Sequence, residues 1–290
     1  MRVLMIHKTK KGGVAIHVKN VKRELEKKGI EVVEITRNET LRISSFIKSY
    51  HKLKHLYTKW SKEYDIIHAH DWSIAYPAVR ANIPNLVVTL HGFATNPIGD
   101  IFEKIIIKKL KWKVIVVSPA MLKKFPDATY LPNGIDLKNF KKKENISRKR
   151  KKAGIAQKYC ALQIMRILKK LNLGFTYVKN IPYEKIPEFY SQIEIFISLP
   201  PKTTGFNMVW LEAMACEVPY IIGTNYGIGE ILPIYKVNSF MELEILLMKI
   251  KNNELPPLKG CRKWIIKNKF TWKEHVKRLL KIYEEIKRMY

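Results

Sequence analysis

The chain has 290 residues and a mass of 34.0 kDa, room for two domains with cores of their own. Hydrophobic residues make up 47%, which excludes a disordered chain, and no apolar run reaches the ~18–20 residues needed to span a bilayer. Lys and Arg number 54 against 25 Asp and Glu, a net charge of +29. That excess favours a polyanionic partner (nucleic acid, anionic lipid or a phosphorylated substrate) over a thermophile's surface, which would enrich Glu as well.

The opening stretch, "MRVLMIHKTKKGG", has an apolar run too short for a signal peptide and reads as a core strand, so a cytoplasmic protein is expected. "RVLMIH" is the first strand and "KTKKGG" a loop. "VAIHVKNVKRELEKKG" is a helix with Val14, His17, Val18, Val21 and Leu25 on its apolar face, closed by Gly29. "EVVEIT" is the second strand. A basic helix then runs over about 41–60, its apolar set Ile43, Phe46, Ile47, Tyr50, Leu53, Leu56, Tyr57 and Trp60 alternating with Lys48, Lys52, Lys54 and Lys59. It either packs on a sheet with its basic face solvated or lies on anionic lipid, with Phe46 or Trp60 at the margin.

"DIIHAH", "NLVVTLH", "VIVVS" and "TYLP" supply four more strands, completing a Rossmann-like domain that ends near "PNGID". No GxGxxG follows the first strand, which argues against an NAD-type site. The basic run "KNFKKKENISRKRKKAG" reads as solvated linker or surface. Alternation resumes with a helix from about 159 to 170, strand "GFTYV", helix "YEKIPEFYSQ", strand "IEIFISL", an apolar helix in "FNMVWLEAMAC" and strand "VPYIIG". Two helical stretches, "MELEILLMKIKNN" and "TWKEHVKRLLKIYEEIKRMY", close the chain. Cys160, Cys216 and Cys261 are odd in number and widely spaced, giving neither a disulfide framework nor a zinc site.

Open parallel sheets bind ligands beyond the carboxyl ends of their strands. Gly12 and Gly13 follow the first strand, His68, His70 and Asp71 end the third, and His91 and Gly92 end the fourth. No further ligand at metal spacing joins the His-x-His-Asp group, so no metal is expected. In the second half, Thr203 or Thr204 is placed to cap the apolar helix, and Gly205, Phe206, Asn207 and Met208 would offer N–H groups to an anion. Glu212 follows about two turns later on the same side, where a carboxylate accepts bonds from the ribose hydroxyls of a nucleotide whose diphosphate sits at the helix start. Its bland reading is a buried carboxylate paired with a lysine.

With these pieces in place, the chain resembles the family 4 retaining glycosyltransferases of the GT-B fold. The resemblance runs through "GGVAIHVKNVKRELEKKGIEV", "YDIIHAHDW", "VVTLHG", "VIVVSPAMLKKF", "YLPNGID", "IPEFYSQIEIFISLPPKTTGFNMVWLEAMACEVPYIIGTNYGIGEIL" and "FTWKEHVKRLLKIYEEI". Each piece is weak alone; their order over almost the whole chain is specific. It implies an α/β protein with two Rossmann-like domains whose parallel sheets face across a cleft, the second domain shortened. An acceptor domain over 1–138, a nucleotide-sugar domain over 139–270 and a final helix over 271–290 crossing back to the first domain are expected.

By resemblance, Glu212 matches the second, ribose-binding Glu of the family's Glu-x7-Glu motif, His91 its histidine near the donor sugar, and Gly13 the glycine that approaches the diphosphate. "NYGIGE" matches the Gly-rich stretch after the motif. Two departures stand out. Thr204 replaces the motif's first Glu, and "GIAQKYCALQI" keeps Gly154 and Lys158 of a diphosphate-binding segment with Ile155 where Arg is expected; the preceding "RKRKKA" is too polar for a central strand. The resemblance implies metal-independent transfer of a hexosyl group from a nucleotide diphosphate sugar, with retention and with no cofactor. By the same resemblance a glycan or lipid-linked acceptor and peripheral contact with an anionic membrane are expected; no RRM, KH or helix-turn-helix pattern is present, so no nucleic-acid partner is expected. The alternative is a nucleotide-sugar-binding protein of the same fold with impaired catalysis.

Overall fold

The structure, a computed structural model, describes residues 1–42, 45–156, 160–178 and 181–290. The chain divides into two compact units, Met1–Gly134 with Trp272–Tyr290, and Ile135–Thr271.

The first unit alternates β1 (Arg2–His7), α1 (Gly13–Glu26), β2 (Glu31–Thr36), α2 (Phe46–Glu63), β3 (Ile66–His70), α3 (Trp72–Arg80), β4 (Leu86–Leu90), α4 (Pro97–Leu110), β5 (Val114–Val116), α5 (Pro119–Lys124) and β6 (Thr129–Tyr130). Its six strands lie in the order β2-β1-β3-β4-β5-β6, all parallel. β3, β4 and β5 are buried throughout, as continuous apolar runs covered on both faces must be.

The second unit holds β7 (Ala153–Ile155), α6 (Ala161–Lys170), β8 (Phe175–Tyr177), α7 (Ile186–Ser191), β9 (Ile195–Ile197), α8 (Met208–Ala215), β10 (Tyr220–Gly223), β11 (Tyr235–Lys236), α9 (Phe240–Lys251) and α10 (Cys261–Lys267). Its parallel sheet has the order β11-β10-β9-β7-β8.

The last helix, α11 (Trp272–Arg288), belongs to the first unit. Trp272, His275, Val276, Leu279, Ile282, Tyr283 and Ile286 form its buried stripe at steps of three and four residues. Each apolar member contributes about 1.5–3 kcal/mol by burial. Tyr283 Oη reaches His68 Nδ1 (2.6 Å), Arg278 donates to the Tyr130 carbonyl, and Lys287 pairs with Asp65 at 2.8 Å.

The structure corrects several expectations. The basic helix starts at Phe46, because the Thr40 and Leu41 N–H groups both turn back to the Thr36 carbonyl. Trp60 is 8% exposed and sits in the core, so it cannot line a membrane margin; the side chain of Phe46 lies outside the described residues. The basic run is only partly solvated. Phe140 is fully buried, and Arg148 donates to the Cys216 and Glu217 carbonyls, satisfying groups left open at the end of α8. A strand does follow "RKRKK": "AGI" lies between β8 and β9. Three residues suffice because β7 is completely buried, and Gly154 faces Phe189 and Ile193, with no room for a Cβ. β11 and α10 carry too little periodic signal to be read from sequence.

Candidate functional site

In the first sheet the strand order reverses at β1, between β2 and β3, which places a ligand crevice at the carboxyl ends of β1 and β3. Gly12, with φ +89, ends the loop after β1 and Gly13 opens α1. A Cβ at either position would meet nothing, so φ alone requires glycine, and only at Gly12. The first amide of α1 bonded back into the helix is that of Ile16, to the Gly12 carbonyl, so the first-turn N–H groups point out at the crevice.

Asp71 sits at φ +83 and accepts from the Trp72 N–H at 2.7 Å, capping α3. Burial raises its carboxyl above the usual range, with the Trp72 amide and then Lys8 and Arg37 pulling it back. Glu103 on α4, which sequence reading passed over, is 1% exposed, and burial pushes its carboxyl up to about 7. A lone Glu on the buried face of "PIGDIFEKIII" was its only sequence signal.

Behind the crevice lies a group of imidazoles. His70 is fully buried, and its Nδ1 lies 3.0 Å from Nε2 of His91. His68 stacks on His70 at 4.3 Å between centroids. Both its nitrogens are engaged, Nδ1 by Tyr283 and Nε2 by Thr89 Oγ1. His17, read from sequence as an apolar-face residue, points into the group, 4.7 Å from His91 and 5.2 Å from His275 between centroids. Burial holds all of these rings neutral, with His91 lowered to about 3 and His275 to about 4.

In the second unit the helix begins at Met208, not at Gly205. The Gly205 carbonyl accepts from the Ile228 N–H at 3.0 Å, holding 205–207 as a loop, and neither Thr203 nor Thr204 caps the helix. Gly227 packs against the Thr204 and Gly205 carbonyls, too close for a side chain. Phe206 is in the core, and Asn207 Nδ2 donates to Ser198 Oγ. The Trp210 N–H returns to the Asn207 carbonyl, so within the helix itself Met208 and Val209 supply the first-turn N–H groups that no helical bond uses.

Glu212 is 3% exposed. Its partner is a phenol: Tyr190 Oη donates to Oε2 at 3.0 Å. Burial raises the Glu212 carboxyl to about 7 against the lowering effect of that bond. Lys158 lies outside the described residues.

Beyond the carboxyl ends of β9 and β10 lies a cavity of about 300 Å³, lined among others by Cys160, Pro200, Lys202, Thr224, Tyr226 and Asn238. Thr224 Oγ1 is buried without a hydrogen-bond partner. These residues come from separate loops, and only the fold brings them to one cavity.

The Glycosyltransferase Family 4 model matches residues 11–139, and the Glycosyl transferases group 1 model matches residues 160–240. An uncharacterized glycosyltransferase of Methanocaldococcus jannaschii is 35% identical over 98 residues, 31% of this chain; the match spans only 28% of that relative. Sucrose-phosphate synthase from Thermosynechococcus elongatus aligns over 100% of both chains with a TM-score of 0.75 and 15% identity. A glycosyltransferase from Rickettsia africae aligns over 98% of both with a TM-score of 0.67 and 16% identity. Such distant likenesses speak to fold alone, and the fold is GT-B. With one family model on each half, in the family's order, the chain belongs to the family 4, group 1 glycosyltransferases.

Proposed function

We propose that the protein transfers a sugar from a nucleotide diphosphate sugar to an acceptor hydroxyl with retention of configuration. The observation that carries this reading is Glu212. A carboxyl this deeply buried is costly unless a ligand repays its desolvation, and ribose hydroxyls donating to it would do so. The cavity holding Thr224, Tyr226 and Asn238 is the proposed seat of the rest of the nucleotide.

In the reaction the bond between the anomeric carbon and the diphosphate oxygen breaks, and one to the acceptor oxygen forms on the same face. The acceptor's proton passes to the departing diphosphate, so no side-chain base is required. Charge growing on the diphosphate is met by the Met208 and Val209 N–H groups and by Lys158. His91, held in place by His70, hydrogen-bonds the donor sugar. No Asp-x-Asp pair occurs in the sequence, so no cation is proposed to bridge the diphosphate. The exposed Lys48, Lys52, Lys54 and Lys59 of α2, with Ile47 at 78% exposure, are proposed to meet an anionic membrane that presents the acceptor. Among the described residues no helix is long and apolar enough to cross a membrane.

A panel of nucleotide sugars tests the reading. A donor at 100 times its Kd should stabilise the protein by about 2.7 kcal/mol, and its turnover should be unaffected by added Mg²⁺ or Mn²⁺. Binding of a nucleotide sugar without any turnover would favour instead a binding protein of this fold, a reading that Thr204 in place of the motif's first Glu supports.

A further inference from the structure

We propose that His17, His70 and His91 bind one divalent transition-metal ion of the zinc class. The proposal does not rest on sugar transfer. The three residues come from α1, from the end of β3 and from the loop after β4, and one ring nitrogen of each lies within 4.8 Å of the others.

The geometry is close to a metal site. A tetrahedral ion with metal–nitrogen bonds of about 2.0–2.1 Å holds its ligand nitrogens roughly 3.3 Å apart. His70 Nδ1 and His91 Nε2, at 3.0 Å, already have nearly that spacing, and an ion would take the place of the proton between them, which passes to the other nitrogen of its own ring so that both rings stay neutral. Only His17 has to move inward.

His17 is prepared for the role. Its Nδ1 donates to Asn133 Oδ1 at 2.9 Å, which fixes the proton there and leaves the lone pair on Nε2. That Nε2 is buried and has no hydrogen-bond partner. Metal-bound histidines usually donate their other N–H to an oxygen in this way. The neighbouring imidazoles are committed elsewhere. His68 is bonded through both nitrogens, and His275 uses Nδ1 on the Pro132 carbonyl. His91, the most accessible of the three, leaves a fourth position for water. Three neutral imidazoles without a carboxylate suit Zn²⁺, Co²⁺, Ni²⁺ or Cu²⁺ and not Mg²⁺ or Ca²⁺.

Co²⁺ titration of the chelator-treated full chain is the test. We expect one Co²⁺ per chain, the intense visible bands of a four-coordinate ion, and displacement by an equimolar amount of Zn²⁺. His17→Ala should abolish the bands, and Asn133→Ala should weaken binding about 10–100-fold. A second histidine pair, His51 and His55, lies exposed one turn apart on α2, so His51→Ala/His55→Ala serves as the control and should bind as the wild type does. Absence of stoichiometric binding to the wild type overturns the proposal, whether or not His17→Ala folds. So does loss of the bands in the α2 double variant, or their survival in a folded His17→Ala.

Discussion

Replacing Glu212 with Gln separates the cost of burying this carboxyl from its use. Burial raises the Glu212 carboxyl from 4.5 to about 7. The folded state therefore keeps a proton that the unfolded chain releases above pH 4.5, and stability falls as pH rises until the folded group also ionises near 7. At about 1.36 kcal/mol per unit, the wild type loses roughly 2–3 kcal/mol from this group between pH 5 and pH 8. Gln keeps an oxygen to accept from Tyr190 but carries no charge. Its own burial adds a pH-independent offset, so the diagnostic is the change in the stability difference between the two proteins. Urea unfolding at pH 5 and pH 8 should show that difference moving by about 2–3 kcal/mol in favour of the variant. Donor binding, followed by thermal shift, should be lost in the same variant. A stability difference that is constant with pH within about 0.5 kcal/mol would refute the electrostatic argument, and retained donor affinity would refute the assignment to ribose.

Gly154→Ala should destabilise the second unit by about 1–3 kcal/mol, because its Cβ would fall 2.4 Å from Phe189 and 2.5 Å from Ile193; urea denaturation measures this, and a neutral variant would show that β7 packs differently. The buried imidazoles predict acid lability. His91 and His275 are lowered to about 3 and about 4, so the unfolded chain takes up protons below about pH 6.5 that the folded one refuses. The two together should cost on the order of 4 kcal/mol by pH 5, seen as a falling melting temperature; a flat profile between pH 7 and pH 5 would contradict it. Changing Lys48, Lys52, Lys54 and Lys59 to Gln should release the protein from phosphatidylglycerol vesicles at low salt without altering donor binding. A wild type that ignores such vesicles would point to a soluble acceptor.

The parallel sheet of the first unit was legible because its inner strands are short apolar runs between helical periods. β3, "IIHAH", and β4, "LVVTL", are buried on both faces, and burial on both faces leaves a continuous run that local reading detects. α11 was equally plain, since its stripe recurs at helical steps. Its partner was not read from that pattern; only the resemblance placed it on the first domain.

Other features depend on contacts between residues far apart in sequence. The start of α8 moved from Gly205 to Met208 because the Gly205 carbonyl bonds the amide of Ile228, which no local preference records. β7 is a strand of only three residues whose neighbours, Phe189 and Ile193, lie well downstream. His17 had the period of a core residue, and its helix alone gave no sign of the histidines it meets. Asn133, 116 positions away, fixes its proton, and His70 and His91 come from separate strand ends. Periodicity declares which face of an element is buried. Which polar groups meet on that face is decided by the order of the strands, and that order exists only in the folded sheet.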